Sequence, residues 1–200
     1  MNINEKLSNL YMEFVKKNLD KTEEELEILH YGTQVILISI YKLIILFVTS
    51  YFLKVFTYTL IAFIVFGFLR SFANGVHADS SLKCIFLNYI IFLGNVFLSL
   101  NFTLNRTSII ILFLISLILV VKYAPADTAE RPLVSKKLRK ALKLKSIAVV
   151  LISCSVSLLL PNSIYKNIII YSIFQESFLI TPFAYFIFRK PYNNYKNLQL

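Results

Sequence analysis

An all-α, polytopic integral membrane protein is the fold class this sequence predicts, and three observations predict it. Of the 200 residues, 57% are hydrophobic and only 16% charged, whereas an ordinary soluble domain has about 25% charged residues. The apolar residues form six long segments. The basic residues collect on alternate connections between those segments. Disorder is excluded because it needs low hydrophobicity. A soluble globule buries only about two thirds of its surface at this chain length, too little to hide so much Ile, Leu and Phe. The aromatic mix of eighteen Phe, twelve Tyr and no Trp is also unusual. Two cysteines inside or beside apolar runs make no disulfide framework.

The elements follow in order. Residues 1–34 hold four Lys against seven Asp or Glu, while the remaining 166 hold 17 basic and four acidic groups. No secretory signal is expected, because a basic n-region running directly into an apolar core is missing. Ile3, Leu7, Leu10, Tyr11 and Phe14 share one helical stripe. That spacing predicts an amphipathic helix over 3–17, lying on the membrane, on the bundle or on a partner chain. Leu19 to Glu27 reads as a solvated acidic stretch or linker.

The apolar segments are Val35 to Leu53, Val55 to Leu69, Ile85 to Leu100, Ser108 to Val121, Ile147 to Leu160 and Ile168 to Phe188. Several fall short of the roughly 20 residues of a straight span. Their ends must borrow polar neighbours, tilt, or stop short of crossing. Only Lys54 separates the first two segments, as in a tight hairpin. Lys42 inside the first is costly unless it snorkels or pairs. The expected organisation is a single membrane domain over 1–200, with a polar N-terminal segment to residue 34, a helical bundle over 35–188 and a basic tail over 189–200.

With the N-terminus in the cytoplasm, residues 70–84, 122–146 and 189–200 lie there too. That side then carries 17 Lys and Arg, against Lys54, Arg106 and Lys166 on the other. Cytoplasmic connections carry such an excess, so both termini are expected inside. In a soluble chain a basic excess raises nucleic acid as a partner. Here the charges flank apolar segments and read as signals to anionic lipid, so no nucleic acid partner is expected. The cluster Arg131, Lys136, Lys137, Arg139, Lys140, Lys143 and Lys145 anchors to lipid or attracts an acidic peptide.

Two polar islands interrupt the apolar pattern. Arg70 to Cys84 contains one of the two His and one of the two Cys. His77 and Cys84 are seven residues apart, about two helical turns. If residues 78–84 are helical, both face one side of a cleft. A thiol needs a nearby base to become an attacking thiolate, so the pair has the chemistry of covalent catalysis. Spacing alone weighs more heavily for a buried Cys and a loop His. Zinc needs three or four ligands, and His30, His77, Cys84 and Cys154 are scattered, so no metal is expected. Cys154 in its apolar run reads as a packed side chain. The second island, Lys122 to Pro132, has two prolines that disfavour a long helix. It falls on the same side as the first, which makes Asp127, like Asp79, a candidate to orient the imidazole. Helix capping or an ion pair with Arg131 is the equal alternative for Asp127.

Arg70 through Cys84, centred on Asn74–Gly75–Val76–His77–Ala78, resembles the signature of the AgrB family, the accessory gene regulator membrane endopeptidases of Gram-positive bacteria. Tyr123 to Thr128 resembles that family's other recurring stretch, and the likeness covers essentially the whole chain. Glu130–Arg131 before Pro132 departs from the lysine found there in many members. The resemblance implies a cysteine endopeptidase in the bacterial cell membrane, with Cys84 as nucleophile and His77 as general base. Its substrate would be a short precursor with an amphipathic leader and an acidic C-terminal tail. Cleavage at the tail would leave an acyl-enzyme thioester, which an internal Cys or Ser resolves to a thiolactone or lactone macrocycle for quorum sensing. No cofactor is implied. Oxyanion donors would be backbone N–H groups around Gly75 or Cys84, with Arg70 or Asn74 as side-chain candidates. Lys136, Lys137, Arg139 and Lys140 would steer the acidic tail. A homodimer fits the resemblance without any sign in the residues themselves. The rival readings are a small permease or export channel, with Lys42 as its polar handle, and a non-catalytic membrane assembly factor.

Overall fold

The structure, a computed structural model, describes residues 13, 15, 17, 22–77, 80–129, 131–161 and 163–198. The helix expected over 3–17 therefore lies outside the described residues, except that Glu13, Val15 and Lys17 are helical. The described helices are α1 (Glu23–Phe52), α2 (Phe56–Ala73), α3 (Ser81–Asn88), α4 (Gly94–Asn101), α5 (Arg106–Tyr123), α6 (Lys136–Leu159), α7 (Ile164–Leu179) and α8 (Pro182–Ile187). A π-helical turn, Tyr89–Leu93, joins α3 to α4, and a 3₁₀ turn follows at Asn194–Leu198. Among the described residues, five helices are long and apolar enough to cross a membrane: α1, α2, the run Leu82–Asn101, α5 and α6. The chain divides into two units, Met1–Thr49 and Ser50–Leu200.

In the first unit α1 starts well before the apolar run that predicts it. Thr22 and Glu25 explain the early start. The Glu25 N–H donates to Thr22 Oγ1 at 3.3 Å, and the Thr22 N–H donates to Glu25 Oε2 at 3.2 Å. This reciprocal capping box satisfies amides that a helix start leaves free. Glu23, Glu24 and Glu25 also sit in the first turn, where the helix dipole favours negative charge. The acidic stretch is thus partly helix. Ile36, Ile40, Ile44 and Val48 recur every fourth residue and are exposed, an apolar stripe suited to lipid tails. At the far end of α1, in the second unit, Lys54 takes a left-handed conformation with φ 58°. Val55 N–H donates to Ser50 O and Lys54 N–H to Tyr51 O, both at 2.9 Å, closing a helix stop that usually uses glycine.

The second unit is built around α7. Ile168, Ile169, Ile170, Ile173 and Leu179 are buried on it, and so are Asn167, Ser172, Glu176 and Ser177. It packs against α2, α4, α5 and α6. Polar atoms in an apolar solvent must find partners inside the protein. Asn95 of α4 donates through Nδ2 to Ser172 Oγ at 2.9 Å and to Ile168 O at 3.3 Å. Asn167 Nδ2 donates to Phe102 O at 3.1 Å, and Ser157 Oγ donates to Lys166 O at 3.0 Å. These bonds fasten neighbouring helices to α7. Phe92 adds edge-on contacts with Phe63 and Phe66 at 5.5 and 5.3 Å between ring centres.

The sixth apolar segment is not one helix. It breaks between α7 and α8 at Ile180–Thr181. Pro182 lacks an N–H and disfavours helical backbone before it. Thr181 is accordingly extended and caps α8 by accepting from Ala184 N–H at 3.2 Å. The second unit has two polar ends. At one, Ala126 N–H donates to Ala73 O at 2.9 Å and Val76 N–H to Leu179 O at 3.4 Å. At the other, Asn167 reaches Phe102 and Tyr58 meets Tyr165 at 5.6 Å. Residues 70–77, 124–129, 131–133 and 179–195 therefore share one end, the grouping that alternate connections demand.

Candidate active site at the polar end of the bundle

The first island begins where α2 stops. Asn74, at φ 56°, closes the helix by donating its N–H to Arg70 O at 2.9 Å. Gly75 follows at φ 130°, a conformation L side chains rarely adopt. A Cβ there would stand 3.1 Å from Arg70 Nη1 and 3.3 Å from Leu179 O and Ile180 Cγ2. Glycine is thus required twice, for backbone conformation and for space. A parallel bridge pairs Asn74 with Ala126, bringing the two islands together.

Arg70 folds back over this loop. Its Nη1 lies 2.9 Å from Glu176 Oε2, and Glu176 is fully buried while Arg70 keeps 19% of its side chain exposed. Nη2 donates to Val76 O and stands 3.4 Å from His77 Nδ1. Guanidinium only donates, so this contact favours Nδ1 as acceptor, with the ring proton on Nε2. The Arg70 guanidinium also lies 5.8 Å from the centre of the Phe66 ring. Val76 is buried and His77, the next residue, is exposed.

Ala78 and Asp79 lie outside the described residues, so the expectations on Asp79 and on a helix from residue 78 do too. α3 opens at Ser81, with Ser80 as N-cap accepting from Lys83 N–H at 3.3 Å. Cys84 sits in its first turn, half-buried with a free thiol, its N–H bonded to Ser80 O at 2.9 Å. Cys154 is buried on α6.

Asp127 is 3% exposed. Its Oδ1 accepts from Asn194 N–H at 3.0 Å, and its Oδ2 from Tyr195 N–H at 2.7 Å and Leu133 N–H at 3.4 Å. Tyr185 Oη donates to its main-chain carbonyl at 2.7 Å. The carboxylate thus ties the second island to the C-terminal segment. Burial first, then Tyr123, Tyr195 and Asp127, pushes the neighbouring Tyr192 phenol up to about 12, so it stays protonated. Of the four basic candidates, Lys136, Lys137 and Lys140 are exposed on the first turns of α6. Arg139 is not like them, because its guanidinium stacks 3.7 Å from the centre of the Tyr195 ring.

Sequence reasoning missed Glu176 as the partner of Arg70. The signal was present, since an acid within an apolar segment is a functional residue until a partner explains it.

The family described as Accessory gene regulator B matches residues 8–180 of this chain. An AgrB-like protein of Clostridium acetobutylicum is 34% identical over 191 residues, covering 96% of this chain and 91% of its own. The accessory gene regulator protein B of Staphylococcus intermedius is 34% identical over 151 residues, covering 76% and 79%. An AgrB-like protein of Listeria welshimeri is 28% identical over 169 residues, covering 84% and 83%. No solved structure matches.

Proposed function

The chain belongs to the AgrB family and so to the agr quorum-sensing system, and from that premise we propose that it is a membrane-embedded cysteine endopeptidase. It cleaves the C-terminal tail from an autoinducing peptide precursor and leaves a thiolactone or lactone macrocycle. One observation carries this reading. The loop that delivers His77 is tightly built, and the next described helix presents Cys84 in its first turn, at an end of the bundle rich in basic groups.

The chemistry balances with these two groups. His77 takes the Cys84 proton as the sulfur attacks the carbonyl at the tail junction. For this it must turn from Arg70, whose contact with Nδ1 leaves the other nitrogen protonated. The C–N bond breaks, and His77 returns the proton to the departing amine. The thioester carbonyl then accepts an internal Cys thiol or Ser hydroxyl of the precursor. That group loses its proton, and Cys84 leaves as a thiol. Effective concentration favours ring closure over hydrolysis. An apolar edge that keeps water out protects the thioester. The Ser81 and Leu82 amides at the start of α3 are the oxyanion donors this reading favours, because the Lys83 and Cys84 amides are bonded to Ser80 and Arg70 is held by Glu176 and Val76. Both termini lie in the cytoplasm, with Lys136, Lys137 and Lys140 steering the acidic tail.

The test uses the full chain in liposomes with the precursor encoded nearest to its gene, followed by mass spectrometry. Wild type should release the tail and form a precursor–enzyme thioester. The macrocycle should weigh one water less than the linear fragment. Cys84→Ala and His77→Ala should release no tail. Full tail release by either variant would refute the assignment. Transport of precursor by Cys84→Ala with no wild-type cleavage would favour a permease.

A further inference from the structure

We propose that Glu176 is the positioning residue of the His77 loop and that it works through Arg70. The main-chain polar groups on both sides of Val76 are held from the end of α7. Val76 N–H donates to Leu179 O at 3.4 Å. Val76 O accepts from Arg70 Nη2, and Arg70 Nη1 is fixed 2.9 Å from Glu176 Oε2. Leu179 and Glu176 are neighbours one turn apart on the same helix. One helical turn thus sets the peptide planes from which His77 departs.

The arrangement is asymmetric. Glu176 is 0% exposed, and its second oxygen, Oε1, has no hydrogen-bond partner. A buried carboxylate is costly unless paired and hydrogen-bonded. Here the pairing rests on one guanidinium. Arg70 in turn is held in place, because Nη1 is committed to Glu176 and Nη2 to Val76 O, with His77 Nδ1 also 3.4 Å from Nη2. Charge-assisted bonds are about twice as strong as neutral ones. Removing the charge from Glu176 while keeping its shape therefore weakens the grip on Arg70 without opening a cavity.

For its effect on rate this proposal rests on the reading of His77 and Cys84 as the reacting pair; its effect on the loop does not. Both are measured on the full chain in nanodiscs. Wild type, Glu176→Gln, Arg70→Gln and the double variant are compared by hydrogen–deuterium exchange. Glu176→Gln should speed amide exchange over 74–77 by about tenfold, with α5 unchanged. The double variant should exchange no faster than Arg70→Gln. With precursor, Glu176→Gln should lower kcat for tail release on the order of ten- to a hundredfold, with KM within about threefold. Glu176→Asp, which keeps the charge, should recover part of that loss.

Unchanged exchange over 74–77 in Glu176→Gln would overturn the proposal. So would effects of the two substitutions that multiply, since residues acting through one another do not add. If the single variants fail to fold, Arg70→Met with Glu176→Leu removes both charges and leaves no orphan ion. Wild-type exchange in that pair would equally overturn it. Absence of tail release from wild type would sink the proposed activity, while exchange would still decide the positioning role.

Discussion

Replacing Asp127 separates a carboxylate that builds the loop from one that orients His77. Both oxygens accept from main-chain N–H groups, at 3.0 Å from Asn194, 2.7 Å from Tyr195 and 3.4 Å from Leu133. A hydrogen bond to a charged group contributes about 1.5–3 kcal/mol. Counting only the two shorter bonds, Asp127→Ala removes roughly 3–6 kcal/mol of local stabilisation. Asp127→Asn is no rescue, because its one oxygen serves one side while its NH₂ faces another N–H donor. These bonds join the C-terminal segment to the second island, so the loss should emerge first as local opening there. At 1.36 kcal/mol per factor of ten, exchange at the Asn194 and Tyr195 amides should rise by about a hundredfold or more in both variants. Hydrogen–deuterium exchange with mass spectrometry reads this directly. Wild-type exchange at 194–195 in Asp127→Asn, together with lost tail release, would refute the reasoning. That pattern would belong to a carboxylate serving His77.

Other substitutions test neighbouring parts of the same end. Gly75→Ala should lower stability by about 1–3 kcal/mol through its backbone conformation, and should displace Arg70 from the 3.1 Å approach. A thermal shift paired with tail release checks it, and a wild-type melting point would sink it. Neutralising Lys136, Lys137 and Lys140 to Gln should raise KM a few-fold at low salt and have no effect near 1 M salt, where screening is within about 3 Å. A salt-independent KM would leave them as topology signals. Arg139→Gln should act differently, loosening Tyr195 by about 0.5–2 kcal/mol of cation–π contact, and its exchange signature should resemble that of Asp127→Asn more than that of the lysine variants.

The helices that face lipid were the most legible. Val55 to Leu69 became Phe56–Ala73, and Ser108 to Val121 became Arg106–Tyr123. In lipid the backbone must satisfy itself, so an apolar run of adequate length already implies a helix. Boundaries set by polar chemistry were harder. Thr22 and Glu25 form a legible capping box, but the acidic composition around them pointed to a solvated linker. The last apolar segment, Ile168 to Phe188, read as one run although Pro182 lies inside it, and the helix breaks just before that proline. Within the candidate site, Gly75 and His77 drew attention by residue type. The work of Asp127 did not, because its two shortest bonds come from backbone amides more than sixty positions away, and a backbone amide carries no sequence signature.

Arg70 and Glu176 show the same limit from the opposite side. They are 106 positions apart, and a single sequence offers no way to pair them beyond the rule that a charge inside an apolar segment needs a counter-charge. That rule also explains why the loop and the pair occur together. Chain that leaves helical geometry beside a membrane needs its amides and carbonyls satisfied by protein. Residues 73–76 obtain this from Ala126, Leu179 and Arg70, and Arg70 holds its place because Glu176 is buried beside it. An ordered non-helical loop at this position therefore requires the buried acid on α7. The same requirement fixes the chain leading to His77 at the one end of the bundle where the second polar island and the basic turn of α6 converge.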